Sequence, residues 1–141
     1  IVELNSGELL LNMRNYTDDR LRKLAVSQDQ GITWSDIYSH ENLIEPICQA
    51  SMINIKRPLK KDLLAFSNPN SKKSREKMTI QFSFNNSKTW SKKILIHEGP
   101  SAYSNLMQLN NSEIACLFEG GENSPYEGIA FKKISIKNLK Q

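Results

Sequence analysis

The residue types with the most specific chemistry in this sequence are two arginines and a tyrosine, at positions 14, 75 and 103. A guanidinium group presents planar, paired N–H donors that match a carboxylate, which the single ammonium group of lysine does not. Arg14 and Arg75 are therefore candidates for binding an anionic group, although an arginine read alone is as often a surface residue. Tyr103 lies 103 − 75 = 28 residues beyond Arg75. A tyrosine phenol has a pKa of about 10 in water, so it acts as a nucleophile only beside a base.

The two cysteines indicate no specific chemistry. Cys48 and Cys116 are 116 − 48 = 68 positions apart, and both lie in apolar stretches. Buried free thiols are the favoured interpretation, one disulfide stays possible, and no cysteine or histidine spacing typical of a metal site is present. The cysteines therefore give no indication of a metal site.

The overall charge does not indicate nucleic-acid binding. The net charge is +4 and the isoelectric point is near 9.1, but the lysines and arginines come in small groups with acidic residues among them. No group is combined with the aromatic residues on which single-stranded bases stack. The mean hydropathy is −0.52. No apolar run approaches the roughly 18 residues of a membrane span. With 141 residues, the chain is long enough to bury the core of one domain.

The elements that must position these groups are strands. In the segment 77–84, Met78, Ile80, Phe82 and Phe84 alternate with polar residues, which is the period of a strand with one buried face. Similar short runs, separated by Gly, Asn, Asp, Ser or Pro, occupy residues 1–4, 8–13, 21–26, 50–55, 62–66, 92–97, 106–109, 113–118 and 128–136. No segment has a helical period with caps. The sequence predicts an all-β fold.

Two segments of the sequence repeat each other. SQDQGITW at 27–34 matches SFNNSKTW at 83–90, an offset of 83 − 27 = 56 residues. In the first copy Asp29 and Gly31 suit a tight turn, and Trp34 can pack over it. We interpret both copies as folding devices. A repeat of about 50 residues with several strands in each unit is typical of β-propeller blades.

The first copy fits Ser-x-Asp-x-Gly-x-Thr-Trp, the Asp-box of sialidases and a few other propellers. Three further segments resemble, in order, motifs of the bacterial-type exo-α-sialidase (neuraminidase) family: VELNSGELLLNMRN at 2–15, FSNP at 66–69 followed by Arg75, and AYSNL at 102–106. The resemblance covers nearly the whole chain.

The resemblance implies roles for four residues. Arg14 and Arg75 would bind the substrate carboxylate as two members of the family's arginine triad, and Tyr103 would be the catalytic nucleophile. Gln49 would approach the sugar. Sialic acid carries a carboxylate on its anomeric carbon, and a neutral phenol avoids the repulsion that an anionic nucleophile would meet there.

The resemblance also implies an incomplete site. We expect residues 1–141 to be about the last three blades of a six-bladed propeller, and the sequence opens inside a predicted strand without methionine. The first triad arginine, the acid–base aspartate and the glutamate base belong to upstream segments of the family. We therefore expect this chain by itself to be inactive and poorly stable.

Partners and alternatives follow from the same resemblance. The expected substrates are sialylated glycoproteins, glycolipids or oligosaccharides, from which terminal sialic acid would be released with retention of configuration. The expected location is extracellular or at the cell surface. The chemistry that the resemblance implies needs no metal or organic cofactor, although some relatives bind calcium for structure. A non-catalytic carbohydrate-binding propeller and a trans-sialidase stay open as alternatives.

Overall fold

The computed structural model describes residues 1–57 and 63–139 and shows an all-β chain, since these ranges contain no helix. A membrane-spanning helix is accordingly not found in them. The ten strands are β1 (Val2–Glu3), β2 (Leu9–Met13), β3 (Leu21–Ser27), β4 (Tyr38–Ile44), β5 (Ser51–Ile55), β6 (Leu63–Pro69), β7 (Glu76–Ser83), β8 (Lys92–Asn110), β9 (Glu113–Gly120) and β10 (Gly128–Ser135).

The strands form three antiparallel units, which we call blades. Blade 1 contains β1 to β4 in sequence order. Blade 2 contains β5, β6, β7 and the first half of β8, residues 92–100. Blade 3 contains the second half of β8, residues 101–110, with β9 and β10. Up-and-down sheets packed side by side in this way are part of a β-propeller, and the predicted fold class is confirmed.

The central strands of blade 2, β6 and β7, are buried on both faces because this blade lies between the other two. Along β6 every residue is buried, and successive side chains point to opposite sides. Leu64 and Phe66 pack with Leu10, Leu24 and Trp90 in the core shared with blade 1. Leu63 and Ala65 belong to the core shared with blade 3. This strand between two cores is thus apolar at four successive positions, 63–66, unlike the alternating β7.

Blades 2 and 3 are also joined by side chains that bond the main chain of the facing strand. The Oγ of Ser51 in β5 accepts the N–H of Leu106 in β8 at 3.0 Å. Beyond the other end of β5, the amide of Gln108 accepts the Lys56 N–H at 3.0 Å and donates to the Lys56 carbonyl at 2.8 Å. These bonds fix the two strands against each other without a backbone ladder.

The repeated turns have the predicted chemistry. Asp29 accepts the Thr33 N–H at 2.8 Å, Gly31 has a φ of 92°, and the Trp34 ring nitrogen donates to the Gly31 carbonyl at 3.2 Å. In the second copy the corresponding Asn85 accepts the Thr89 N–H at 2.9 Å.

Two details differ from the sequence expectation. The strand β4 was not predicted, and the separate runs 92–97 and 106–109 belong to one long strand, β8. The run predicted from Asp62 begins at a residue outside the described ranges, and its described part belongs to β6.

Candidate functional site

Each blade contributes one of the three principal candidate side chains. Arg14 directly follows β2 in blade 1, Arg75 directly precedes β7 in blade 2, and Tyr103 lies in the blade 3 half of β8. The candidate residues therefore lie at the end of β2, at the start of β7 and in β8, the strand that passes from blade 2 to blade 3.

Arg75 and Tyr103 are neighbours because β7 and β8 pair where β8 changes blades. Glu76 is opposite Pro100, and the Arg75 carbonyl accepts the N–H of Ser101 at 2.8 Å. The Arg75 guanidinium carbon lies 5.7 Å from the centroid of the Tyr103 ring, a cation–π distance. The two groups that the sequence placed 28 residues apart are in contact.

The Arg75 guanidinium is held by two oxygen atoms. Its Nη1 donates to the phenol oxygen of Tyr126 at 2.6 Å, and its Nη2 donates to the carbonyl of Ile47 at 3.1 Å. Ile47 has a φ of 55°, a left-handed conformation that is unfavourable for a β-branched residue. Such backbone strain is often found at functional sites, where it fixes an otherwise rare geometry.

Tyr103 lies in a bulge of β8. Ser101 is opposite Gly120 and Ser104 is opposite Phe118, so three steps along β8 match two steps along β9. The Tyr103 N–H is satisfied by Oε2 of Glu119 at 3.1 Å instead of by a ladder partner. The Tyr103 side chain is 43% exposed.

Tyr103 also lines a hollow of about 300 Å³. Its wall includes Gln49, Ser104, Leu117, Glu119 and Ile129. Leu117 and Ile129 make one wall apolar, while Gln49, Glu119 and the phenol supply polar groups. A hollow of this size and composition suits a small polar ligand with an apolar substituent.

Gln49 lies in this wall, and its amide bonds main-chain groups. It accepts the Ser104 N–H at 2.8 Å and donates to the carbonyls of Ser104 and Ala50 at 3.0 and 2.9 Å.

Arg14 joins the site less directly. Its Nε is buried without a hydrogen-bond partner in the part of the chain that the structure describes, and its guanidinium lies 5.0 Å from the Tyr16 ring centroid. The adjacent Asn15 donates from its backbone N–H and its side chain to Glu45 at 3.2 and 3.0 Å. Arg14 is not among the residues that line the hollow beside Tyr103.

Cys48 directly precedes Gln49 and is buried. Burial raises the pKa of the Cys48 thiol, and the charges of Arg75 and Arg14 act in the opposite direction. Cys48 and Cys116 are both buried and free, as favoured by the sequence. In residues 1–57 and 63–139 no group of three His, Cys, Asp or Glu side chains is arranged to hold a metal ion.

Sequence reasoning missed the groups that hold the site. Arg22, only 4% exposed, pairs with Glu45 at 2.7 Å and donates to the Cys48 carbonyl at 2.8 Å. The burial of Arg22 could have been predicted, because Arg22 lies two residues before the core residue Leu24 in the same strand and so points to the same face. A buried charge requires a partner. Tyr126 gave no such signal, because it lies in an irregular loop before β10.

Comparisons with known proteins agree with the fold. The sequence model of the BNR repeat-like domain matches residues 1–116. A sialidase of Bacteroides fragilis is 34% identical over 99% of the chain, and a sialidase of Micromonospora viridifaciens is 32% identical over 89%. The chain spans 26% and 20% of those two proteins, about a quarter or less of their length.

Solved structures of a sialidase and of a trans-sialidase have the same fold as this chain. The Hadza microbial sialidase Hz136 superposes with a TM-score of 0.83 at 35% identity, over 99% of this chain and 27% of that one. The intramolecular trans-sialidase from Ruminococcus gnavus superposes with a TM-score of 0.79 at 23% identity, over 99% of this chain and 32% of that one, which is a likeness of fold.

Proposed function

This chain belongs to the BNR repeat-like domain family and, within it, to the bacterial-type sialidases, and on that basis we propose that it provides part of the active site of an exo-α-sialidase. The substrates would be sialylated glycoconjugates or oligosaccharides. The observation that carries the proposal is the contact of the Arg75 guanidinium with the ring of Tyr103, a residue that itself lines the hollow.

In the proposed mechanism the arginines orient the sugar. Arg75 is held by Tyr126 and Ile47, so its fork has a fixed direction, and Arg14 offers a buried N–H without a partner. Two guanidinium groups near one anion would bind the sialic acid carboxylate through charge-assisted hydrogen bonds. That binding would place the anomeric carbon beside the phenol of Tyr103.

Tyr103 would then attack the anomeric carbon. A bond forms between its phenol oxygen and that carbon, the bond to the aglycone oxygen breaks, and the phenol proton passes to a base. Water subsequently releases the sugar with overall retention of configuration. The base and the acid that protonates the leaving group belong, in the family, to segments other than those resembled by these 141 residues.

Replacement of Tyr103 tests this proposal in the full polypeptide that the gene encodes. Tyr103→Phe removes only the nucleophilic oxygen, so kcat/KM for a fluorogenic sialoside should fall by at least about a thousandfold. A fluorinated sialosyl fluoride should label the wild-type protein covalently with loss of fluoride, and peptide mass mapping should locate the adduct on Tyr103.

The matched control is Tyr38→Phe, since Tyr38 is 42% exposed and lies in β4. It should leave turnover unchanged. Full activity of Tyr103→Phe, or an adduct on another residue, would contradict the proposed role. We further propose that the 141 residues alone do not turn over a sialoside, and measurable turnover by them would contradict that part.

The alternatives give different products. A transferase would form a new sialoside when an acceptor sugar is added, and a non-catalytic propeller would bind sialic acid without turnover even in the full polypeptide. Product analysis with and without lactose separates the three cases.

A further inference from the structure

The amide of Gln49 is occupied by the protein backbone. A glutamine amide has two N–H donors and one acceptor oxygen. In this structure the nitrogen donates to the carbonyls of Ser104 and Ala50, and the oxygen accepts the Ser104 N–H. A ligand could receive a hydrogen bond from Gln49 only if one of these bonds were given up.

Ser104 is the residue directly after Tyr103, and the two are held on opposite edges of β8. In a strand the N–H and the carbonyl of one residue point to the same edge, and the next residue points to the other. Gln49 satisfies both main-chain groups of Ser104 on the edge that faces blade 2. Glu119 accepts the Tyr103 N–H on the edge that faces β9.

The bulge makes this support necessary. The extra residue of β8 interrupts the ladder with β9 between Ser101 and Ser104. A bulge without regular ladder bonds can shift in register or twist, and either movement would carry the Tyr103 ring with it. The Gln49 amide takes the place of a strand partner at this point.

The same short segment also fixes Arg75. The Ile47 carbonyl, two residues before Gln49, accepts a hydrogen bond from the Arg75 guanidinium. The segment 47–49 therefore contacts both the proposed carboxylate ligand and the backbone beside the proposed nucleophile.

We propose that Gln49 is a positioning residue, which holds the backbone of Ser104 and thereby the Tyr103 phenol, and that it does not act as a ligand of the sugar. This inference rests on the proposed function. It predicts that Gln49 controls the rate of the step at Tyr103 and has little effect on affinity for a bound sialic acid.

Gln108 provides a matched control. Its amide makes the same pair of bonds to the main chain of one residue, Lys56, which directly follows β5: it accepts the Lys56 N–H at 3.0 Å and donates to the Lys56 carbonyl at 2.8 Å. It joins the same two blades but is five residues beyond Tyr103 along β8. Loss of this clamp should have a comparable structural effect at the other register shift of β8, between Gln108 and Asn110, without touching the bulge at Tyr103.

The experiment compares Gln49→Met, Gln49→Glu and Gln108→Met in the full polypeptide encoded by the gene. Methionine keeps the length and removes all the hydrogen bonds, whereas glutamate keeps the acceptor for the Ser104 N–H. The first readout is the rate of covalent labelling of Tyr103 by a fluorinated sialosyl fluoride. The second is the Kd of 2-deoxy-2,3-dehydro-sialic acid, which binds reversibly.

For Gln49→Met we expect labelling to slow by about tenfold to a hundredfold, because small displacements of a reacting group have effects of this size. The Kd should change by less than about threefold, since the Gln49 donors already bond main-chain carbonyls. The labelling rate of Gln49→Glu should lie between those of the wild type and Gln49→Met. Gln108→Met should change neither the labelling rate nor the Kd.

Two results would overturn the inference. One is a Kd raised tenfold or more in Gln49→Met, which assigns the amide to the sugar, and the other is unchanged labelling in both Gln49 variants. If Gln49→Met does not fold, Gln49→Glu decides by the same criteria. A wild-type protein that does not label at Tyr103 would instead refute the proposed function.

Discussion

At the scale of single residues, the two repeated turns show how one carboxylate can be replaced by an amide. Oδ1 of Asp29 accepts the Thr33 N–H and the Ser27 hydroxyl, and Oδ2 accepts the Thr33 hydroxyl at 2.6 Å. In the second turn Asn85 accepts the Thr89 N–H and the Ser83 hydroxyl, and donates to the Thr89 hydroxyl at 2.9 Å. The geometry is the same, but only the first turn depends on an ionised group.

The pH dependence of stability should differ between these turns. Hydrogen bonds from the Thr33 hydroxyl and N–H and from Ser27 lower the pKa of Asp29 to about 2. An unfolded aspartate has a pKa of about 3.9, so the stabilisation is fully present above that value and is lost as the pH falls through about 2. Asp29→Asn should keep the turn, as Asn85 does, and remove this contribution to acid sensitivity.

Urea unfolding between pH 6 and pH 2 measures this effect. The free energy of unfolding of the wild-type chain should fall more steeply below pH 4 than that of Asp29→Asn. Asn85→Asp should make the free energy of unfolding fall more steeply below pH 4. The control is Asp18→Asn, at an exposed position, which should leave the shape of the wild-type curve unchanged. Parallel pH curves for the wild type and Asp29→Asn would refute the assignment.

Local turn chemistry was predictable from the sequence because all of its partners lie within four residues. The contact of Arg75 with Tyr126 was not, since it joins residues 51 positions apart across an irregular loop. Position in a motif indicated that Arg14, Arg75, Gln49 and Tyr103 belong together. It did not indicate that the Gln49 amide bonds the backbone of Ser104.

At the scale of elements, the segment from Glu45 to Gln49 links the three blades. Glu45 bonds Arg22 and Asn15 in blade 1, Ile47 bonds Arg75 in blade 2, and Gln49 bonds Ser104 in blade 3. This segment precedes β5 and has no regular structure of its own. Its geometry depends on side chains and on the buried pair of Arg22 and Glu45.

Glu45→Ala should be strongly destabilising. Glu45 is 1% exposed and its partner Arg22 is 4% exposed, so the substitution leaves a buried guanidinium without its counter-charge. The expected loss is about 3–5 kcal/mol in the free energy of unfolding. Glu113→Ala removes an ion pair with the largely exposed Lys133, and should cost no more than about 1 kcal/mol.

Urea denaturation of the three proteins gives these values directly. A loss for Glu45→Ala no larger than that for Glu113→Ala would show that the buried pair does not stabilise the fold.

Most strands were predicted because an alternating or continuous apolar run identifies them. The strand β4 was missed because its sequence, YSHENLI, is largely polar and its burial is irregular, as is common for an outer strand. The interval between the predicted runs 92–97 and 106–109 contains Gly99-Pro100, where β8 leaves the ladder of β7 and joins that of β9. A glycine–proline pair indicates a bend equally well in a loop and in a strand that changes partners.

At the scale of the whole molecule, the outer face of blade 3 is apolar and uncovered. Met107, Leu117, Ile129 and Phe131 are between 47% and 72% exposed. Phe131 and Leu117 are directly opposite each other on β10 and β9, so the exposed side chains are contiguous. A continuous apolar surface of this kind favours association in water.

We therefore expect the 141-residue chain to self-associate. Sedimentation velocity should show a mass that rises with concentration, and the double variant Leu117→Thr, Phe131→Lys should shift the distribution toward the monomer. Ile32→Lys is the control, because Ile32 is 83% exposed in the first turn and lies outside this face. A wild-type chain that stays monomeric at all concentrations would refute the expectation.

The continuity of β8 has a consequence for inhibitors. One uninterrupted strand pairs with β7 beside Arg75 and, a few residues later, carries Tyr103, so there is no linker between them about which the cleft could widen. A tight-binding compound would have to match the existing spacing between guanidinium and phenol. Rigid scaffolds should consequently outperform flexible ones of equal polarity, because the protein offers them a surface that is already shaped.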